Sequence, residues 1–114
     1  MGNYDLEERT FKFAERTNRY VRILPRTITN IENGKQLVRS SGSVGANYIE
    51  ANEALSRKDF VMRIKICKKE AKESRYWIRL TDPMEEMKKE KEELFNEATE
   101  LMKIFGAIIE KSEG

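Results

Sequence analysis

The stretch from Arg39 to Leu80 narrows the choice of fold more than any other part of the chain. Its first part, RSSGSVGANYIEA, consists mainly of small residues and reads as a helix. After a short break it continues as KDFVMRIKICKKEAKESRYWIRL, a helix of strongly basic character. Gly42 and Gly45 each cost a helix about 1 kcal/mol relative to alanine. Their presence among Ser40, Ser41, Ser43 and Ala46 is read as side-chain volume removed so that another helix can come close. Such a segment fits helix-on-helix packing. With only two prolines and six glycines in 114 residues, the chain has too few turn positions for an all-β fold.

Periodicity divides the chain into four helices within one domain, residues 1–114. The first runs from about Leu6 to Leu24, with Leu6, Thr10, Phe13, Thr17, Tyr20 and Leu24 on one face. Asp5 and Glu8 suit a capping box at its start, and Pro25 ends it. The second runs from about Arg26 to Ala54, with a stripe Val44, Tyr48, Ala51 and Leu55 and another through Ile28, Ile31, Val38, Gly45 and Ile49. Gly34 marks a kink or break within it. The third opens with Ser56 as N-cap, Asp59 as its capping-box partner and Leu55 stapled onto Phe60. Its core stripe is Phe60, Ile64, Cys67, Ala71, Ser74 and Ile78, beside a second of Ile66, Glu70, Glu73, Trp77 and Leu80. The fourth starts at Thr81-Asp82-Pro83, with Asp82 as cap, Pro83 in the first helical position and Glu85 completing the box. Met84, Met87, Leu94, Ala98, Leu101, Phe105 and Ile108 form its apolar face, and the tail after Ile109 is expected to fray. Short connections favour an antiparallel up-down four-helix bundle, an all-α fold.

Composition excludes several classes of function. There is no histidine, so the usual general base and the usual zinc ligand are missing. Asp5, Asp59 and Asp82 all fall at expected helix starts, where capping accounts for them. Cys67, the one cysteine, lies on a core stripe and reads as a small buried hydrophobe. No internal disulfide can form, and a cytoplasmic location is the default. The acidic start MGNYDLEERT is not that of a signal peptide, and no apolar run approaches the roughly 18 residues of a membrane span. No catalytic residue, cofactor or metal site is assigned, and the protein is expected not to be an enzyme.

Three constellations remain. Lys65, Lys68, Lys72, Arg75 and Arg79 are spaced three, four, three and four residues apart and line one face of the third helix. From Arg57 to Leu80 nine basic residues stand against three acidic ones, a net of +6, while from Pro83 to Lys111 eight glutamates stand against five lysines, a net of −3. The stripe is a candidate nucleic-acid contact, with Tyr76 and Trp77 nearby as candidates for base stacking or, more simply, with Trp77 in the core and Tyr76 at an edge or an interface. The alternative is a solvated face whose lysines pair with glutamates of the fourth helix.

Secondly, Glu50 and Glu53, with Glu70 and Glu73, form two Glu-x-x-Glu pairs on adjacent helices. They suit either a Mg²⁺-dependent nucleotide hydrolase or, more simply, ion pairing inside the bundle with Arg39 and Lys69. Thirdly, Asn47 and Gln36 suit a structural polar network with Arg39, Glu50, Glu70 and Glu73.

The segment RSSGSVGANYIEANEALSRKDFVMRIKICKKEAKESRYWIRL, with FKFAERTNRYVRILP and IENGKQLVRS before it, resembles the four-helix bundle proteins encoded in intervening sequences of large-subunit (23S) ribosomal RNA genes. The resemblance spans about residues 6–110 and rests on Asn47 and Glu50, Lys58-Asp59-Phe60, Glu70-Ala71-x-Glu73 and Tyr76-Trp77. Many relatives have proline where this chain has Gly45 and glycine where it has Ala51. The resemblance implies a left-handed up-down bundle assembled into a homopentamer, and kinship with the accessory variability protein of diversity-generating retroelements, which binds nucleic acid. It carries over no catalytic residue. The expected partners are other copies of the chain and RNA or a nucleic-acid-handling protein, with no membrane. The alternative is a scaffolding oligomer that recruits a protein.

Overall fold

The computed structural model describes residues 3–113. Residues 1, 2 and 114, the ends of the domain expected over 1–114, lie outside the described residues. Four helices follow one another: α1 (Asn3–Ile23), α2 (Ile28–Asn52), α3 (Arg57–Leu80) and α4 (Lys88–Glu113), the last preceded by one 3₁₀ turn, Glu85–Met87. Each connection is too short to cross the length of a helix, so successive helices run antiparallel and pack side by side. The bundle measures 44 × 23 × 21 Å, and α1 touches α4 only sparingly.

The apolar stripes meet along the axis. Phe13 and Tyr20 of α1, Leu37 and Val44 of α2, Ile64 and Ile78 of α3, and Leu94, Leu101 and Phe105 of α4 are all buried. Small residues close the gap between α2 and α3, where Ser40 and Ser74 have no solvent exposure. The Ser74 hydroxyl donates across this seam to the Ser40 hydroxyl at 2.9 Å, with the Glu70 carbonyl as its other acceptor at the same distance.

Capping and glycine geometry differ from expectation in several places. Ser56 caps α3 as expected, accepting from the Asp59 backbone N–H at 3.1 Å. Leu55 does not staple onto Phe60, for it is 98% exposed. Asp5 sits inside the first turn of α1, which begins two residues earlier. Thr27, not the residue before Arg26, caps α2. Gly34 causes no break: α2 runs through it, and a Cβ there would come within 3.0 Å of a Val21 methyl. Gly45 does give close contact, with Thr10 Oγ1 3.0 Å from its missing Cβ, whereas Gly42 faces open space. Of the second α2 stripe, Ile28, Val38 and Ile49 are exposed. Helix α4 continues past Ile109 to Glu113.

The start of α4 is the largest departure. Asp82 and Pro83 lie in an extended segment, Thr81–Met84, and cap nothing. Buried Asn30 takes up their backbone instead. Its side-chain carbonyl accepts from the Asp82 N–H at 2.8 Å, and its amide donates to the carbonyls of Asp82 and Pro25, each at 2.9 Å. Beside it the buried Tyr20 hydroxyl donates to Thr81 Oγ1 at 2.8 Å, and Thr81 donates onward to the Ile78 carbonyl at 2.6 Å. Burial pushes the Tyr20 phenol pKa up. Asn30 thus joins the α1–α2 turn to the α3–α4 turn at one end of the bundle. The α2–α3 turn, the start of α1 and the end of α4 lie at the other.

Candidate functional site

Helix α3 presents its five candidate cations along the edge that borders α4. A glutamate-rich neighbour would neutralise them, but α4 turns a different edge this way. Glu90, Glu93 and Glu97, at i, i+3 and i+7, share the edge that faces α1. There Arg9 forks onto Glu97 with bonds of 2.7 and 2.8 Å, and Arg16 onto Glu90 with bonds of 2.6 and 2.7 Å while also donating to Glu93. These bonds raise the Arg9 and Arg16 pKa and hold the Glu90 carboxyl below its ordinary value. The lysine-to-glutamate pairing expected between α3 and α4 is therefore met only at its end.

Towards α3, α4 offers instead Phe95, Thr99 and Gly106. Arg75 lies over the Phe95 ring, 5.2 Å from its centroid, and donates to Thr99 Oγ1 at 3.1 Å. The missing Cβ of Gly106 leaves room for the Lys68 ammonium, which would lie 3.5 Å from it. Among the described residues only Lys65 of the five has a carboxylate partner, Glu113 at 2.9 Å, and both side chains are half exposed. Lys68, Lys72, Arg75 and Arg79 have none. Lys91 of α4 adds charge beside Arg79, donating to the Thr81 and Arg79 carbonyls at the C-terminus of α3.

The other edge of α3 carries the polar network. Arg39 donates to Glu70 at 3.3 Å and to Glu73, and its Nε lies 3.4 Å from Gln36 Oε1. Glu70 is buried, so its charge is tolerable only because Arg39 compensates it. Lys69 is a distant second partner at 3.9 Å. The Trp77 indole donates to Glu73 Oε1 at 3.3 Å, and Tyr76 meets Trp77 edge-on with ring centroids 5.0 Å apart. Asn47 does not join Arg39 or Glu73. It accepts from Arg63 at 3.0 Å and donates to the Ser43 carbonyl at 2.9 Å, a pairing that sequence reasoning missed. Glu50 stands exposed and apart from the network.

The four carboxylates of the nucleotide-hydrolase alternative do not converge. Glu70 and Glu73 turn to Arg39, while Glu50 and Glu53 border an open depression with Asp59 and Arg63. No cluster of three or more acidic or thiol side chains suited to a metal ion occurs among the described residues. Cys67 is buried, and desolvation pushes its thiol pKa up to about 12, far from nucleophilic poise. No described helix is long and apolar enough to cross a membrane.

Comparison with curated proteins gives no match. Among solved structures the chain is similar to a protein of unknown function from the S23 ribosomal protein family of Bacteroides thetaiotaomicron VPI-5482, determined at 1.70 Å resolution. The two share 29% sequence identity and a TM-score of 0.79, over 96% of this chain and 99% of that one. That agreement extends from end to end of the bundle, and residues 3–107 also match the family model of the 23S rRNA-intervening sequence protein. The chain belongs to the 23S rRNA-intervening sequence protein family.

Proposed function

We propose that the protein is a non-enzymatic, cytoplasmic, self-assembling bundle that binds structured RNA, or an RNA–protein complex, through the edge of α3 formed by Lys65, Lys68, Lys72, Arg75 and Arg79. One observation carries this reading: four of these cations have no carboxylate partner among the described residues, although a helix rich in glutamate lies beside them. An unneutralised row of charge along one helix favours phosphates and gains affinity by releasing their counterions. Binding of a labelled RNA hairpin, followed by anisotropy at several salt concentrations, tests it. Affinity is expected to fall linearly in log–log salt. Replacing Lys68, Lys72 and Arg79 with glutamine is expected to flatten that slope by about two to three. An unchanged affinity in the triple variant would remove the stripe from the interface.

A scaffolding oligomer is the second reading, supported by Phe11, Val38 and Ile49, which leave apolar surface exposed on α1 and α2. The ring of five that the resemblance implies would need such surface between copies. Light scattering of wild type and of Val38→Glu with Ile49→Glu tests it. A monomer in wild type already excludes a ring, and an oligomer undisturbed by the two charges places its interface elsewhere.

A further inference from the structure

We infer that Tyr76 is a stacking platform for an unpaired nucleobase, so that the RNA taken by the basic edge offers a single-stranded or bulged nucleotide there rather than a continuous duplex. This rests on the RNA-binding reading above and makes it narrower. Tyr76 is 54% exposed. On the surface of α3 it is flanked by Lys72 one turn before and Arg79 one turn after, two cations without a carboxylate partner among the described residues.

The ring is also braced. It leans edge-on against Trp77 at 76°. Trp77 is hydrogen-bonded to Glu73, which is paired with Arg39. That chain of contacts limits the freedom of a side chain that stays 54% exposed, which lowers the ordering cost of stacking. Cations that flank an exposed aromatic suit a nucleotide strand. Phosphates on either side of a base meet Lys72 and Arg79 while the base lies on Tyr76. A continuous duplex keeps its bases stacked on one another and presents phosphates alone, so it engages the cations without using the ring.

The test compares a labelled, unstructured 12-nucleotide RNA with a blunt duplex of the same sequence at low salt. It uses wild type, Tyr76→Ala, Tyr76→Phe and Lys72→Gln with Arg79→Gln. Tyr76→Ala is expected to weaken single-strand binding roughly 5- to 100-fold, with Tyr76→Phe close to wild type and duplex binding unchanged in both. Equal single-strand affinity in Tyr76→Ala and wild type, with a clear loss in the lysine–arginine variant, overturns the platform and leaves the basic edge standing. An equal loss on single strand and duplex in Tyr76→Ala also overturns it. Absence of binding to either RNA by wild type overturns the RNA-binding reading itself.

Discussion

Between α2 and α3, Ser40 and Ser74 are shut away from solvent, and the helices meet through a buried hydroxyl–hydroxyl bond and the Arg39 pairs above it. Between α1 and α4 there is little packing; Arg9 and Arg16 reach across to Glu97, Glu90 and Glu93 with side chains 25% to 43% exposed. The first seam is fixed mainly by volume, on which salt and pH have little hold, with the Arg39 pairs added at its edge. The second is fixed by charge in contact with water, where each pair contributes at most about 1 kcal/mol and salt weakens it. The difference shows that one bundle can divide stability from electrostatics. The tight seam supplies cohesion, and the loose one holds Glu90, Glu93 and Glu97 on the edge of α4 away from α3.

The comparison breaks most sharply at Ser40. Ser40→Leu places a side chain where there is no space and removes the bond to Ser74, so a loss of about 3 kcal/mol is expected in urea denaturation. A loss under 1 kcal/mol would show that the seam is not closely packed. Next comes Arg39→Ala, which leaves buried Glu70 and nearby Glu73 uncompensated. Because Arg39 itself is half exposed, about 1–2 kcal/mol is expected rather than the full cost of a broken buried pair.

A third effect separates two glycines of α2. Gly42→Ala faces open space and is expected to add up to about 1 kcal/mol through helix propensity. Gly45→Ala is expected to fall short of that gain, because its methyl group meets Thr10. Equal thermal shifts for the two would place the α1–α2 contact elsewhere.

The smallest effect is at the charged seam. Arg16→Gln is expected to cost at most about 1 kcal/mol at neutral pH and to cost less in 1 M salt. Arg16 depresses the folded-state pKa of Glu90, so this contribution is present above the unfolded carboxylate value of about 4.3. It fades as pH falls through the lower folded value. Stability curves of wild type and variant are therefore expected to converge in acid, and a gap that stays constant down to low pH would assign the effect to packing.

Much of this architecture was legible in residue spacing, because a core stripe is a local property of each helix. Spacing marks Leu6, Thr10, Phe13, Thr17, Tyr20 and Leu24 as one face and Phe60, Ile64, Cys67, Ala71, Ser74 and Ile78 as another; all are buried except Leu6 and Phe60, which are partly buried. What spacing could not supply was the partner of each polar group. Asp82 looked like a helix cap by every local sign, yet its backbone is held by Asn30, 52 residues away. The glutamates of α4 were set against the lysines of α3 on net charge alone. Their i, i+3, i+7 register, with Phe95 and Thr99 on the opposite edge, was the signal that they belong to α1. Of the candidate site, Arg39, Glu70 and Glu73 come together as expected, because residues at i and i+3 on a helix share an edge. The Asn47–Arg63 pair was not foreseen, since it depends on how two helices are offset along their axes.

Asn30 makes the two ends of the bundle unequal in time as well as in structure. At its end one buried amide links two turns, and breaking it would strand several backbone groups without water or partner, so that end opens only when the whole molecule does. At the other end Ser56 caps α3, but exposed Leu55 adds no contact. Amide hydrogen exchange is therefore expected to be graded along the 44 Å axis, slowest near Asn30 and Thr81 and fastest near Glu53 to Ser56.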